Sequence, residues 1–118
     1  MSCTIYKNTK PFDFRGLQIR ELTPESLSSA SIAEIEVPVY GKHPTARSIK
    51  SDKLYMCIGG SVTFNCDNRK IKLTPKDVLV IPKGEWFSYQ NKGISTARLI
   101  LVHVPPFSLD HEEFRESE

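Results

Sequence analysis

Alternation of apolar and polar residues predicts β-strands along most of the chain. Between residues 33 and 39 every second position is apolar, and glutamate or proline fills the positions between. A period of two places the apolar side chains on one face, which indicates a half-buried strand. Three further runs, 54–58, 78–81 and 99–104, are apolar at nearly every position. Such runs are typical of strands covered on both faces, as in a closed barrel or a sandwich with a partner chain outside.

Turn sequences separate these runs. Asp67-Asn68 has residue types that tolerate positive φ and is expected to close a tight hairpin. Further turns are expected at 74–77, 82–84 and 91–93, each of which contains Pro or Gly. Strands then return about every 8–12 residues, which is the spacing of an all-β sandwich or barrel.

Two short segments carry helical signals. Residues 23–30 begin with Thr23 as an N-cap and Pro24 at the first helical position, so one short turn is expected there. Residues 109–116 are expected to form a last short helix. No internal repeat or low-complexity linker interrupts the chain.

The length and composition fit one globular domain. The chain has 118 residues, of which 39% are hydrophobic and 25% charged. This length buries enough surface to form a core without a disulfide or metal. We expect a single domain over 1–118, with a core barrel at about 32–107. An N-terminal segment, 1–31, can add strands to it, and an acidic tail, 108–118, follows it.

Charge and cysteine content indicate which classes of partner the protein can bind and in which cellular compartment it is expected. The net charge of +2 is mild and scattered, which argues against nucleic acid but suits a small anionic ligand. No apolar run is long enough for a membrane span, and residues 1–14 lack a signal-peptide core, so a cytoplasmic protein is expected. Cys3, Cys57 and Cys66 are odd in number and form no C-x-x-C pair, so no disulfide framework is expected.

Two segments resemble the sequence motifs of the cupin family. Residues 53–64, Lys-Leu-Tyr-Met-Cys-Ile-Gly-Gly-Ser-Val-Thr-Phe, resemble the end of its first motif. Residues 73–91 resemble the second motif, with Asp77, Pro82, Gly84 and Asn91 at matching positions and Lys76 in place of a glycine. The resemblance covers about 32–107 and implies a small single-domain cupin of the RmlC-like superfamily. The implied fold is an all-β double-stranded β-helix, a jelly-roll barrel that hosts many functions.

The metal ligands of that family are replaced in this chain. The four ligand positions fall on Ala46, Ser48, Lys53 and Phe87, or on Arg47 and Ile49 instead of the first two if the spacing is one residue shorter. A lysine ammonium repels a divalent cation, and phenylalanine offers no lone pair. No metal and no other cofactor are therefore expected. The alternative is a non-standard site rebuilt from His43 and His103, whereas His111 lies in the polar tail.

The same resemblance implies which side chains face the barrel interior. The expected ligand-binding residues are Ser48, Lys53, Tyr55, Phe87, Tyr89 and His43. Arg47 and Trp86 are candidates for the rim, although Trp86 has the opposite parity to Phe87. Aromatic walls with a few polar groups are typical of a small-molecule pocket. The same residues could instead fill the barrel as core, with Lys53 reaching solvent.

Three functions follow from these residues. The first is a metal-independent cupin that binds a small polar or carbohydrate-like molecule, with any catalytic role left open. The second is a metal-dependent isomerase, lyase or dioxygenase with non-standard ligands. The third is a non-catalytic sensory or dimerisation module. Because 54–58, 78–81 and 99–104 leave one apolar face outside a single barrel, we expect a homodimer.

Overall fold

The chain forms an antiparallel β-structure with very little helix. The computed structural model describes residues 1–24 and 27–115, which form eleven strands and two short 3-10 helices, Tyr6–Asn8 and Leu109–His111. The strands are β1 (Phe12–Phe14), β2 (Leu17–Glu21), β3 (Ser31–Val37), β4 (Lys42–Ser48), β5 (Asp52–Gly59), β6 (Val62–Cys66), β7 (Arg69–Leu73), β8 (Val78–Ile81), β9 (Phe87–Gln90), β10 (Ala97–Val104) and β11 (Glu112–Arg115). The predicted all-β fold class is confirmed.

The strands form two sheets that enclose one core. Sheet A has the order β1-β2-β3-β10-β5-β8, and sheet B has the order β11-β4-β9-β6-β7. All strand pairs are antiparallel. Inward side chains alternate with outward ones, so that Ile35, Tyr55 and Leu99 are buried between the sheets. This is the two-sheet jelly roll that the sequence pattern predicts.

The expected turns are present, and their backbone angles explain their residues. Asp67 and Asn68 both have positive φ, 50° and 61°, as a two-residue hairpin between β6 and β7 requires. Lys76 has a φ of 82° in the turn closed by the Asp77 N–H bond to the Thr74 carbonyl. In the turn at 91–93, the Asn91 Oδ1 accepts a hydrogen bond from the Gly93 N–H at 2.8 Å.

Three details of the predicted elements are wrong. The strand expected over 33–39 ends at Val37, because the chain turns at 38–41. The helix expected over 109–116 is a 3-10 turn followed by β11, whose pairing with β4 outweighs local helical propensity. Residues 116–118 lie outside the described residues. Thr23 does not cap a helix, because its hydroxyl bonds the Ile32 backbone.

The expected turn at 23–30 falls partly on residues 25 and 26, which lie outside the described residues. On either side of them, the Leu27 N–H donates to the Pro24 carbonyl oxygen at 3.1 Å. None of the described residues between 22 and 30 is helical. No helix in the described part of the chain is long and apolar enough to cross a membrane.

The outward side chains of sheet A form an apolar surface, which we call the outer apolar face. It consists of Ile32, Leu54, Met56, Ile58, Val78, Val80, Ile100 and Val102. Val78 and Val80 are each 55% exposed. The N-terminal segment covers the neighbouring part of the sheet, where the Tyr6 hydroxyl donates to Glu34 and Arg20 stacks on the Tyr6 ring. The described residues of this segment therefore leave β5 and β8 uncovered.

Candidate functional site

The residues at the four former ligand positions lie together inside the barrel. Ala46, Ser48, Lys53 and Phe87 are all buried. Ala46 lies opposite Phe87 in the pairing of β4 with β9. The Lys53 Nζ lies 5.6 Å from the centre of the Phe87 ring, so these two side chains approach each other as predicted.

The alternative spacing of the first motif is wrong. Arg47 points outward, and its Nε donates to Glu113 at 2.7 Å on the surface. Ile49 is exposed. The one-residue difference matters because successive side chains of a strand face opposite sides of the sheet. Ala46 and Ser48 are therefore the inward pair.

Lys53 is the centre of a buried polar cluster that joins the two sheets. Its Nζ donates to the Glu112 Oε1 at 2.8 Å and to the His103 Nε2, also at 2.8 Å. The side chains of Lys53 and Glu112 are each 5% exposed. Glu112 comes from β11, which pairs with β4 so that Glu112 lies opposite Ser48. Lys53 therefore does not reach solvent, and that part of the filled-core interpretation is wrong.

Burial shifts the protonation of this cluster. Desolvation lowers the pKa of Lys53, and the neighbouring Glu112 carboxylate acts in the opposite direction. Burial, together with the Lys53 charge, lowers the pKa of His103 to about 3. A neutral His103 can accept a hydrogen bond from the Lys53 ammonium at Nε2. The ammonium then lies between a carboxylate and an imidazole lone pair.

An aromatic cluster, formed by His43, Tyr55, Phe64, Phe87 and Tyr89, packs inside the barrel beside Lys53. All but His43 belong to the buried hydrophobic core, as the filled-core interpretation expected of Tyr55, Phe87 and Tyr89. The His43 ring stacks on Tyr89 at 5.0 Å and on Phe87 at 5.2 Å between ring centres. Tyr55 meets Tyr89 edge-on at 5.7 Å and lies 5.0 Å from Phe64. Such offset and edge contacts fix ring positions and leave polar atoms at defined points.

His43 is held as a neutral imidazole with one free nitrogen. Its Nδ1 lies 2.7 Å from the Pro44 carbonyl oxygen, which can only accept, so Nδ1 carries the proton and Nε2 keeps its lone pair. Burial lowers the pKa of His43 to about 4, with smaller effects of the Lys53 and Arg15 charges. The backbone bond to Pro44 opposes this shift. Half-buried His43 is thus neutral at pH 7, with the Nε2 lone pair unprotonated.

Two polar atoms within the barrel have no partner in the described structure. They are the Tyr89 hydroxyl and the Glu112 Oε2, both fully shielded from solvent. Burial raises the pKa of both Tyr55 and Tyr89, so these phenols stay protonated. An unpaired buried polar atom costs about 1–3 kcal/mol, so these two atoms mark positions where a bound polar group would be stabilised.

The six predicted site residues have different surroundings. His43, Tyr55, Phe87 and Tyr89 form the aromatic cluster, and Lys53 contacts its edge through Phe87. Ser48 is buried, but its Oγ accepts from the Ser51 backbone N–H at 2.9 Å and so closes a turn.

The two candidate rim residues lie elsewhere. Trp86 lies on the outer side of sheet B, where the guanidinium groups of Arg47 and Arg115 stack on its ring at 4.7 Å and 3.9 Å. Trp86 therefore faces away from Phe87, as its parity predicts.

Sequence reasoning missed Glu112 altogether. Glu112 and Phe114 alternate with the exposed residues Glu113 and Arg115, as in a strand with one inward face. The prediction of a helix over this segment led us to overlook that alternation. His103, which the sequence analysis considered only for a non-standard metal site, is a buried residue whose Nε2 accepts from Lys53.

The residues present do not fit the transition metal that cupins often hold. The Lys53 ammonium occupies a ligand position, and it engages the His103 Nε2. Among residues 1–24 and 27–115, no three or more His, Cys, Asp or Glu side chains converge as a metal site would need. The three cysteines are free, and Cys57 and Cys66 are buried.

The two sheets and the interior site define a small cupin. The family of AraC-like ligand binding domains matches residues 53–113, and the chain belongs to this family. No curated protein matches the sequence.

Solved structures of other cupins share the fold. Pac13 of Streptomyces, a nucleoside dehydratase, is similar with a TM-score of 0.84 and 15% identity over 98% of this chain and 91% of that chain. The polyketide cyclase RemF of Streptomyces resistomycificus gives a TM-score of 0.78 and 18% identity over 88% of this chain and 79% of that chain. KdgF from Halomonas sp. gives a TM-score of 0.78 and 15% identity over 93% of this chain and 97% of that chain.

Proposed function

We propose that this chain is a metal-independent cupin that binds a small sugar-containing molecule of nucleoside type and removes water from it. The observation that carries the proposal is the state of His43, a neutral imidazole with a free Nε2. This nitrogen belongs to the ring that stacks on Tyr89, whose hydroxyl has no partner among the described residues. A ring with a proton-accepting nitrogen thus stacks on a ring with an unpartnered hydroxyl, with 5.0 Å between the ring centres.

The structural comparison supports the choice of ligand. Pac13 is a nucleoside dehydratase, and structures of three of its variants contain uridine. Two of these variants replace a tyrosine by phenylalanine and the third replaces a histidine by glutamine. The barrel of this chain presents the same residue types in His43, Tyr55 and Tyr89.

The proposed reaction is an elimination with His43 as base and Lys53 as acid. His43 Nε2 takes a proton from a sugar carbon, and the electron pair of that C–H bond forms a C=C bond. The neighbouring C–O bond breaks, and the leaving oxygen takes a proton from the Lys53 ammonium and departs as water. Proton exchange through solvent then restores neutral His43 and charged Lys53. Both groups contact Phe87, at 5.2 Å and 5.6 Å from its ring centre.

This reaction restricts the functional groups that the sugar of the substrate can carry. An imidazole can remove a proton from carbon only where a neighbouring carbonyl makes the C–H bond acidic, so the sugar should carry an aldehyde or ketone. Glu112 holds Lys53 in its charged form through their contact of 2.8 Å. The Glu112 Oε2 remains to accept a ligand hydroxyl.

The second candidate function is ligand binding without turnover. The matched family is one of ligand binding domains, and this is the specific observation that favours it. The same barrel residues would then hold a sugar or nucleoside, with His43 as a hydrogen-bond acceptor. The two functions differ in product formation and not in the site used.

The test incubates the protein with uridine and with uridine oxidised to carry a carbonyl on its sugar. We expect loss of one water from the oxidised substrate by mass spectrometry, slowed about 10²- to 10⁴-fold in His43→Gln. His111→Gln, which alters a histidine bonded to Ser108, is the matched control and should retain the rate. Binding without product would favour the second function. Loss of turnover on chelation, with recovery on adding a metal, would contradict metal independence.

A further inference from the structure

A cavity lies on the outer side of sheet B, and its lining is strongly basic. It has a volume of about 350 Å³ and is lined by five cationic side chains, Arg15, Lys42, Lys70, Lys92 and Arg115. We call it the basic groove. None of the described residues that line it is acidic. A volume of this size suits a small molecule or a part of one.

The lysines of the basic groove lack carboxylate partners. Among the described residues, no Asp or Glu forms an ion pair with Lys42, Lys70 or Lys92. These lysines come from β4, β7 and the loop after β9, so the fold gathers charges that are far apart in sequence. Like charges repel one another, and the groove is therefore suited to a multiply charged anion.

Hydrogen-bond donors lie between these charges. Thr45, Thr63 and Ser88 also line the groove, and each can donate through its hydroxyl. A phosphate group has several acceptor oxygens and is bound well by lysines as point charges and by arginine as a fork. The lining therefore matches phosphate in both charge and hydrogen bonding.

Arg15 reaches the groove from the two-residue turn between β1 and β2. Arg15 and Gly16 have φ values of 52° and 93°. A two-residue hairpin requires positive φ at both positions, as at Asp67-Asn68. Here the turn places the Arg15 guanidinium 5.6 Å from the Phe14 ring centre and 5.8 Å from that of Phe114. Both rings contact His43.

The basic groove and the barrel site share residues. His43 and Tyr89 line the groove and also form the aromatic cluster. The groove and the aromatic cluster therefore border the same segments of β4 and β9, with the groove on the outer side of sheet B and the ring contacts on the inner side. A volume of about 350 Å³ favours a small molecule over the long basic stripe that a nucleic acid needs.

We propose that the basic groove binds a phosphate group, and that the ligand of this protein is a phosphorylated nucleoside. The sugar part of this inference rests on the function proposed above, whereas the phosphate part rests on the groove alone. The phosphate lies among Lys42, Lys70 and Lys92 on the outer side of sheet B.

The experiment measures binding of uridine, uridine 5′-monophosphate and inorganic phosphate by calorimetry at low salt. The monophosphate should bind at least about tenfold more tightly than uridine, as expected for hydrogen bonds to a charged group. The variant Lys42→Gln/Lys70→Gln/Lys92→Gln should lose this advantage. The matched control Lys7→Gln/Lys10→Gln/Lys50→Gln removes the same charge from exposed positions outside the groove and should keep it.

Each outcome separates this inference from the function it builds on. Equal affinity for uridine and its monophosphate, or an advantage that survives in the groove variant, would overturn the phosphate site and leave the proposed function standing. Lysine-dependent binding of inorganic phosphate without any uridine binding would support the groove and contradict the nucleoside function. Tighter binding of a 20-nucleotide single-stranded RNA than of the monophosphate would overturn the small-molecule assignment.

Discussion

Lys53 and Glu112 form a buried ion pair that crosses the barrel from one sheet to the other. The Nζ–Oε1 distance is 2.8 Å, and the two residues are 59 positions apart in sequence. Lys53 lies on β5 of sheet A, and Glu112 lies on β11 at the edge of sheet B. The pair is shielded from solvent, so removal of one partner leaves an uncompensated charge.

The first prediction concerns the stability of this pair. Lys53→Met should lower the free energy of unfolding by about 3–5 kcal/mol, because the Glu112 carboxylate stays buried without its ammonium. Adding Glu112→Gln removes that charge, so the double variant should recover most of the loss. Urea unfolding of the single and double variants measures both values. Additive losses in the double variant would mean that the two side chains do not interact.

The second prediction concerns the pH dependence of stability. The pKa of His43 is lowered to about 4 and that of His103 to about 3, whereas an unfolded histidine titrates near 6.5. Between these values the unfolded chain binds more protons, so stability should fall as pH decreases from about 6.5 towards 3. Lys53 faces both histidines, Arg15 also acts on His43, and Glu112 contacts Lys53.

Urea unfolding at pH 7, 5 and 4 tests this dependence. The slope of stability against pH should be smaller in His43→Asn and in His103→Asn than in the unsubstituted protein. The same slope in all three proteins would show that these histidines do not carry the effect.

The third prediction concerns the Tyr89 hydroxyl. Because this group has no partner among the described residues, Tyr89→Phe should leave the melting temperature unchanged or raise it. Uridine binding should weaken by about 1 kcal/mol, the net value of a typical hydrogen bond. Tyr40→Phe, at an exposed tyrosine, is the control and should alter neither value. A lower melting temperature with unchanged uridine affinity would give Tyr89 a purely structural role.

The fourth prediction concerns assembly. We propose that the outer apolar face pairs with the same face of a second copy, because contiguous exposed apolar surfaces usually mark an interface. Sedimentation at micromolar concentration should give about twice the chain mass of 13.4 kDa. Val80→Glu should give monomers, whereas Ile94→Glu, at a loop residue that is 99% exposed, should not. A monomeric unsubstituted protein would refute the proposed dimer.

Much of the fold follows from local sequence. The period of two in β3 and the positive-φ residue types at Asp67-Asn68 specify strands and a hairpin without reference to distant residues. The strand end at Val37 and the identity of β11 do not follow in this way. β11 exists because Glu112 to Arg115 pair with Thr45 to Ser48, and such distant pairing outweighs the helical propensity of the segment.

The part of the candidate site that lies on β5 and β9 was predictable, because side chains alternate between the two faces of a strand. The motif alignment together with the alternation of side chains along a strand predicts that four residues face inward, and the structure buries all four: Lys53, Tyr55, Phe87 and Tyr89. Glu112 was not predictable, because an acidic residue near a charged tail resembles a solvated one until its strand is paired. The partner of His103 and the tautomer of His43 also depend on three-dimensional contacts.

The link between Lys53 and Glu112 consists entirely of atoms that the chain itself supplies. The pairing of β11 with β4 carries Glu112 to Lys53, so the polypeptide alone provides both halves of this ion pair.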